Sequence, residues 1–142
     1  MSRVRDLVEN RELYSVGEHQ TVAEVVEKMA VLHVGAILVI SGTNLRGIFS
    51  ERDLMRRVVL EKLDPGRTPV GDVMSSDVST VDEGASLEEA MESMQLRQCR
   101  HLPVTRDGRV VSFLSMRDIM NYELARKTEE LHHIHAYING AG

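Results

Sequence analysis

An internal repeat with an offset of 65 residues restricts the possible folds of this chain severely. Residues 47–54 return as residues 112–119, and residues 16–55 align with residues 81–120 without a gap. Identical pairs at this offset include Val16/Val81, Glu24/Glu89, Glu27/Glu92, Met29/Met94, Ser50/Ser115, Arg52/Arg117, Asp53/Asp118 and Met55/Met120. Because such self-similarity is the signature of repeated structural units, the sequence predicts one motif built twice.

Each copy has the pattern strand, helix, strand, turn, strand, helix. Apolar alternation and turn residues predict strands at 13–16, 36–40 and 45–49 in copy one and at 79–81, 101–104 and 110–114 in copy two. Thr21 with Glu24, and Ser86 with Glu89, predict two capping boxes at helix starts. Pro103 lacks a backbone donor, so we expect it at a strand edge or start.

These patterns predict an α/β (α+β) fold of two pseudo-symmetric repeats, each a small mixed sheet packed by two helices. The expected divisions are 1–65 for the first repeat with its lead-in, 66–125 for the second, and 126–142 for a C-terminal helical extension. The short helical lead-ins, 4–9 and 70–75, are expected to pack on the opposite copy. One copy has too little core to be stable alone, so the two should pack against each other.

The repeated pattern resembles a known family. A short strand ending in Ser-Val or Thr-Val, an amphipathic helix, Gly-Ala-Ile-Leu-Val or His-Leu-Pro-Val, and then Gly-Ile-Phe-Ser-x-x-Asp-Leu resemble the CBS domain, named after cystathionine β-synthase. A tandem pair looks like a stand-alone Bateman module, and the likeness covers roughly residues 4–122.

The Ser50-x-x-Asp53 motif has chemistry of its own. Ser50 is placed to cap a helix, whose first N–H groups attract anions such as phosphate. Asp53 can accept the hydroxyls of a ribose, and the Arg52 guanidinium suits phosphate oxygens. The alternative is that Ser50 and Asp53 only cap the helix, since Asp in a first turn is stabilising anyway. Duplication of the whole set favours a nucleotide site.

The resemblance implies that two clefts between the copies bind adenine nucleotides of AMP, ATP or NAD type. In each, an aspartate of one copy would hold the ribose and the first strand of the other copy would hold the adenine. The first set is Ser50, Arg52 and Asp53 with Ser79, Thr80, Val81, Arg100 and His101; the second is Ser115, Arg117 and Asp118 with Tyr14, Ser15 and Val16. Gly35 and Ala36 occupy the copy-one positions of Arg100 and His101, so we expect unequal clefts and better phosphate binding beside Asp53.

Composition limits the other functions. A net charge of −5 disfavours nucleic acid as a partner, and no apolar run is long enough to span a bilayer. The N-terminus shows no signal-peptide pattern, and the single cysteine, Cys99, favours a cytoplasmic location. Cys99 itself is interpreted as a small apolar residue, although its cationic neighbours could activate the thiol.

We expect neither catalysis nor a metal site. The sequence offers no Ser-His-Asp set, no Cys-His set and no phosphate-cradling Gly-rich loop. His132 and His135 share one face of a predicted terminal helix, with Glu129 as a third candidate ligand, but clustered surface histidines explain them better. No covalent cofactor is expected.

The function predicted on these grounds is a regulatory module for signal transduction or energy sensing, which binds an adenine nucleotide and modulates an unidentified partner protein. A homodimer is expected, with its interface on apolar helix faces around Leu54, Met55 and Val58 and around Ile119 and Met120. The alternative is a purely structural dimerisation module with empty clefts.

Overall fold

In the computed structural model, which describes residues 2–140, the two sequence repeats form two halves of the same architecture. The first half contains α1 Val4–Val8, β1 Ser15–Gly17, α2 Val22–Leu32, β2 Ala36–Ser41, β3 Asn44–Ser50 and α3 Glu51–Asp53, which continues as a π-helical turn, Leu54–Val59. The second half contains a 3-10 turn, Val70–Asp72, then β4 Val81–Asp82, α4 Leu87–Arg97, β5 His101–Arg106, β6 Arg109–Ser115 and α5 Met116–Gly140. Met1 and the last two residues of the predicted extension, 141–142, lie outside the described residues.

The two sheets have the same topology and the same irregularity. Their strand orders are β1-β2-β3 and β4-β5-β6, with the first pair parallel and the second antiparallel in each. A register shift follows Val39 in β2 and Val104 in β5, at equivalent positions of the repeat. The predicted α+β fold of two pseudo-symmetric repeats is therefore confirmed.

The two hydrophobic cores exchange their lead-in segments. Val4 and Val8 of α1 are buried in the core of the second half, beside Leu87 and Leu114. Val70 and Val73 are buried in the core of the first half. The predicted packing of each lead-in on the opposite copy is confirmed, and it ties the two halves together because each core is completed by chain from the other repeat.

Gly47 makes room for one of these exchanged segments. Ile48 and Ser75 donate backbone hydrogen bonds to each other's carbonyl oxygens, at 2.9 and 2.8 Å. A Cβ on Gly47 would lie 2.5 Å from the carbonyl oxygen of Ser75 and 2.8 Å from Sδ of Met74. A side chain there would push the segment away from β3, and this segment carries Ser75 to the cleft described below.

The two predicted capping boxes form only in part. Thr21 Oγ1 accepts from Glu24 N at 3.2 Å, and Ser86 Oγ accepts from Glu89 N at 3.1 Å. Among the described residues neither glutamate side chain returns a bond to its cap. The caps instead form backbone bridges with the exchanged lead-ins, Thr21 with Pro69 and Ser86 with Arg3, so tertiary contacts replace the local ones.

Two further expectations were wrong. Pro103 lies inside β5, the central strand, and not at an edge or start. It is tolerated because β4 pairs with β5 only at Val104 and Thr105, so no β4 residue lies opposite the donor-free nitrogen. The helix after Asp53 is π-helical where an α-helical stripe was expected, with Leu60 N donating to Met55 O.

The expected dimer surface also needs correction. Val58 and Ile119 are fully buried in their own cores, since their relative exposures are 0% and 1%. Met55 and Met120 of the expected surface are exposed, and exposed apolar side chains also stand at the equivalent positions Val31/Leu96 and Val59/Leu124. We call these six residues the paired apolar surface.

Candidate functional site

A cleft of about 610 Å³ lies between the two halves, and both halves contribute to its walls. The first half supplies residues from the start of β2 and from the β3–α3 junction: Gly35, Ala36, Ile48, Ser50, Glu51, Arg52 and Asp53. The second supplies the segment before β4 and the α4–β5 junction: Ser75, Asp77, Val78, Ser79, Arg97, Gln98, Cys99, Arg100 and His101. Its volume is in the usual range for small-molecule sites.

Asp53 is the buried anionic group of this cleft, with a relative exposure of 6%. Ser50 N and Ser50 Oγ donate to its Oδ2 at 3.0 and 3.1 Å, and Asp53 N donates back to Ser50 Oγ at 3.2 Å. Ser75 Oγ donates to Oδ1 at 2.9 Å, and Arg57 Nε lies 3.7 Å from the same oxygen. Asp53 therefore caps its helix and lines the cleft at the same time, so the two interpretations of the motif are compatible.

The opposite wall is rich in cationic and ionisable groups. Arg97 and Arg100 are exposed there, and His101 is half-buried with its ring centroid 5.2 Å from that of Phe113. Burial lowers the pKa of His101 below its usual value; the negative charges of Asp118 and Glu51 oppose that shift, and the positive charge of Arg100 adds to it. His101 is therefore mainly neutral at pH 7, available to gain a proton if an anion approaches.

Six residues of the first predicted set line this one cleft: Ser50, Arg52, Asp53, Ser79, Arg100 and His101. The other two, Thr80 and Val81, are not among its lining residues; Val81 is buried in the core of the second half. Gly35 and Ala36 line the same cleft as Arg100 and His101. The starts of β2 and β5 therefore both face this cleft, and the expectation that the two predicted clefts differ in phosphate binding stays a prediction.

The residues of the second predicted set are arranged differently. Ser115 N donates to Asp118 Oδ2 at 2.9 Å, which repeats the cap at Asp53. Arg11 Nη1 also lies 2.9 Å from this oxygen. Burial raises the pKa of Asp118, but the hydrogen bonds from Arg11 and Ser115 and the charge of Arg11 outweigh it, so the pKa lies below the usual value.

The residues at β1 in the second predicted set offer few groups that are free to contact a ligand. Val16 is buried in the core of the first half, and the carbonyl oxygen of Ser15 accepts a 2.7 Å hydrogen bond from Lys28 Nζ. Tyr14 is exposed, and its hydrogen bond to Glu12 raises its pKa. Arg117 is exposed on α5.

Sequence reasoning missed several residues of the first cleft, above all Ser75, Asp77 and Arg97. Ser75 is the last residue of the lead-in 70–75, which was expected to pack on the opposite copy. That expected packing could have indicated that Ser75 lies beside Asp53. Arg97 ends α4, and its position in the cleft depends on the angle between α4 and β5, which spacing does not give.

Two other expectations concern absences. Within residues 2–140, no group of three or more His, Cys, Asp or Glu side chains is arranged to hold a metal ion; His132, His133 and His135 are exposed on α5. No helix in that part of the chain combines the length and the apolarity needed to cross a membrane.

Two pseudo-symmetric α+β repeats with a cleft between them define the class of tandem-repeat modules. The sequence profile of the CBS domain matches residues 4–60 and 70–125, so the chain belongs to the CBS domain family. The resemblance found in the sequence is confirmed.

Relatives and solved structures agree with this assignment. The chain is 30% identical over 128 residues to the CBS domain-containing protein YhcV of Bacillus subtilis, and the match covers 90% of each chain. It is 31% identical over 125 residues to mitochondrial CBSX3 of Arabidopsis thaliana, which covers 84% of this chain but only 61% of that relative. A CBS domain protein of Pyrobaculum aerophilum, solved in complex with AMP, is 28% identical with a TM-score of 0.76, and the match covers 88% of this chain and 99% of the other.

Proposed function

We propose that this chain is a regulatory module that binds an adenine nucleotide, of AMP, ATP or NAD type, in the cleft beside Asp53. The observation that carries the proposal is the buried Asp53 carboxylate, which faces a cleft that has the exposed guanidinium groups of Arg52, Arg97 and Arg100 on its walls. The carboxylate suits ribose hydroxyls and the guanidinium groups suit phosphate oxygens. The AMP complex of the similar Pyrobaculum aerophilum protein supports this ligand class.

The segment before β4 suits the base. Residues 76–80 belong to no helix or strand, and β4 begins only at Val81. Ser79 lies in this segment and lines the cleft. Backbone N–H and C=O groups that are free of strand partners can pair with the polar edge of an adenine. Thr80 follows Ser79 in this segment, and its backbone groups would pair with the same base.

A ligand held by both halves can act as a signal. It shifts a conformational equilibrium only if it binds one state better than the other, and a nucleotide that bridges two halves meets that condition when their relative position changes. We therefore propose that the module acts in signal transduction or energy sensing through an unidentified partner protein. We propose no catalytic step for it, and we propose that it acts in the cytoplasm.

We also propose that the module is a homodimer in which a second copy covers the paired apolar surface. Met55 and Met120, the members of one equivalent pair, are 53% and 63% exposed. The repeat places apolar side chains at equivalent positions on both halves. In a two-fold symmetric dimer, each half of one chain can therefore pack against a half of the second copy. Residues 126–142 form the proposed C-terminal extension, and within it Leu131, Ile134 and Ile138 are exposed and continue the apolar stripe.

Isothermal titration calorimetry with AMP, ATP and NAD tests nucleotide binding. We expect binding by at least one of the three, and loss of that binding in Asp53→Asn, which keeps the shape of the side chain but removes its charge. Asp107→Asn is the matched control, since Asp107 is exposed in the β5–β6 turn. The absence of heat with all three nucleotides at millimolar concentration would remove the proposal and leave the structural dimerisation module as the function.

A further inference from the structure

The two aspartates of the repeated motif have different partners. Asp53 is approached by a hydroxyl, that of Ser75 at 2.9 Å, with Arg57 Nε more distant at 3.7 Å. Asp118 is approached by a cation, since Arg11 Nη1 lies 2.9 Å from its Oδ2 and 3.5 Å from the carbonyl oxygen of Phe113. The guanidinium of Arg11 therefore binds one carboxylate oxygen of Asp118, to which a ribose hydroxyl could otherwise donate.

This difference arises in the segments that precede the first strands. When residues 4–9 are aligned with residues 70–75, Arg11 corresponds to Asp77. Asp77 lines the first cleft and cannot form an ion pair with Asp53, since both are carboxylates. Equivalent positions thus carry a cation that binds Asp118 and an anion in the cleft that Asp53 lines.

A second internal contact acts on the same side. Lys28 Nζ donates to the carbonyl oxygen of Ser15 at 2.7 Å, and Ser15 belongs to the strand that would hold the base of a nucleotide beside Asp118. The repeat places Ser93 at the position equivalent to Lys28, and a serine is too short to make this contact. The backbone of residues 76–80 is left without it.

We infer that Arg11 decides which of the two related positions binds a nucleotide: it holds Asp118 internally, so each chain binds one nucleotide, beside Asp53. This inference rests on the proposed function. A ribose hydroxyl is a neutral donor, whereas the guanidinium of Arg11 adds the attraction of its positive charge to its hydrogen bond with the carboxylate. A nucleotide would have to exchange the stronger partner of Asp118 for a weaker one, and Lys28 would also have to leave Ser15.

Calorimetric stoichiometry with AMP, on the full chain, tests the inference. We expect one AMP per chain for the wild type, two for Arg11→Ala, and one again for Arg11→Lys, which keeps a cation in place. Arg46→Ala is the matched control: Arg46 is an exposed arginine paired with Glu18, on the first half and outside both sets of site residues, and its removal should leave one AMP per chain. Circular dichroism establishes that each variant is folded, and Arg11→Gln replaces Arg11→Ala if that variant is not.

The other outcomes separate the inference from the function on which it rests. Two AMP per chain in the wild type, or one in folded Arg11→Ala with equal or weaker affinity, would overturn the role of Arg11 while leaving nucleotide binding intact. No binding by the wild type and one AMP by Arg11→Ala would overturn the Asp53 cleft as the site but support Arg11 as the group that keeps Asp118 from a ligand. No binding by either protein would overturn both.

Discussion

Ser75 Oγ donates a 2.9 Å hydrogen bond to Oδ1 of Asp53, although the two residues belong to different repeats. The backbone bridge between Ser75 and Ile48 holds the serine there, and the missing side chain of Gly47 allows that bridge. One face of the cleft is therefore built by a segment that also completes a core, so the site and the packing of the halves depend on each other.

Replacement of Ser75 by alanine should lower the stability of the protein. The substitution leaves one oxygen of a buried carboxylate without its hydroxyl donor, and hydrogen bonds to charged groups contribute about 1.5 kcal/mol. We expect the free energy of unfolding in urea to fall by about that amount, with an unchanged dependence on urea concentration. Ser76→Ala is the control, since Ser76 is exposed; equal losses in both variants would contradict the prediction.

Replacement of Arg100 by alanine should weaken nucleotide binding through the phosphate alone. Arg100 is exposed and lines the cleft, so its removal should leave the fold intact. We expect the Kd for AMP to rise about tenfold, which corresponds to about 1.4 kcal/mol. The Kd for adenosine, which has no phosphate, should not change, and an equal loss for adenosine would show that Arg100 acts on the base or the ribose.

AMP should bind more tightly as the pH falls from 8 to 6.5. Burial lowers the pKa of His101, so the free protein holds this group neutral. A bound phosphate favours the charged form, which raises the pKa in the complex, so binding takes up a proton and strengthens as the pH drops. We expect the affinity for AMP to rise roughly threefold, because a charged donor binds the phosphate more strongly than a neutral one.

His101→Gln is the control for this pH dependence. The amide cannot gain a proton, so the gain in affinity that His101 contributes should disappear, which leaves only the effect of the AMP phosphate's own protonation at about pH 6. Calorimetry in two buffers of different ionisation enthalpy measures the proton uptake directly. The same pH dependence in the variant would assign the effect to another group.

Acid should remove the stabilising contribution of Asp118. Its pKa in the folded protein lies below the usual value, so the folded state binds fewer protons than the unfolded one. The contribution is complete above about pH 4, the ordinary value for aspartate, and is lost as the pH falls towards the folded value. The difference in free energy of unfolding between the wild type and Asp118→Asn should therefore be larger at pH 6 than at pH 3.5. A difference of the same size at both pH values would contradict the assignment.

The repeat predicted more of this structure than composition or propensity could. It placed Asp53 and Asp118 at matching helix starts and predicted the exchange of the lead-ins, because both follow from periodicity and capping chemistry. It did not show that Gly35 and Arg100 line one cleft. That depends on how the two sheets approach each other, a contact between segments far apart in the chain.

The likeness of the two copies could not predict the contacts that only one of them makes. Arg11 stands in a segment where copy one carries an extra residue, so its counterpart is Asp77 at the 66-residue offset of the lead-ins but Ser76 at the 65-residue offset of the repeat. Its hydrogen bond to Asp118 is a tertiary contact between residues more than 100 positions apart in the chain. The repeated motif by itself does not distinguish Asp118 from Asp53. The π-helical turn after Asp53 likewise has no equivalent in α5, although the two sequences still align at its first two residues, Leu54 and Met55.

Charge on the paired apolar surface should separate the proposed dimer into monomers. Met120 and Leu124 are 63% and 66% exposed on α5, and a glutamate at either position would have to be buried unpaired against the second copy, which is costly. We expect the wild type to sediment at about twice the 16.0 kDa of one chain. The double variant Met120→Glu/Leu124→Glu should sediment as a monomer, with a dimer Kd raised about a hundredfold or more. Leu63→Glu is the matched control, because Leu63 is also exposed but lies outside this surface. A double variant that stays dimeric would place the interface elsewhere.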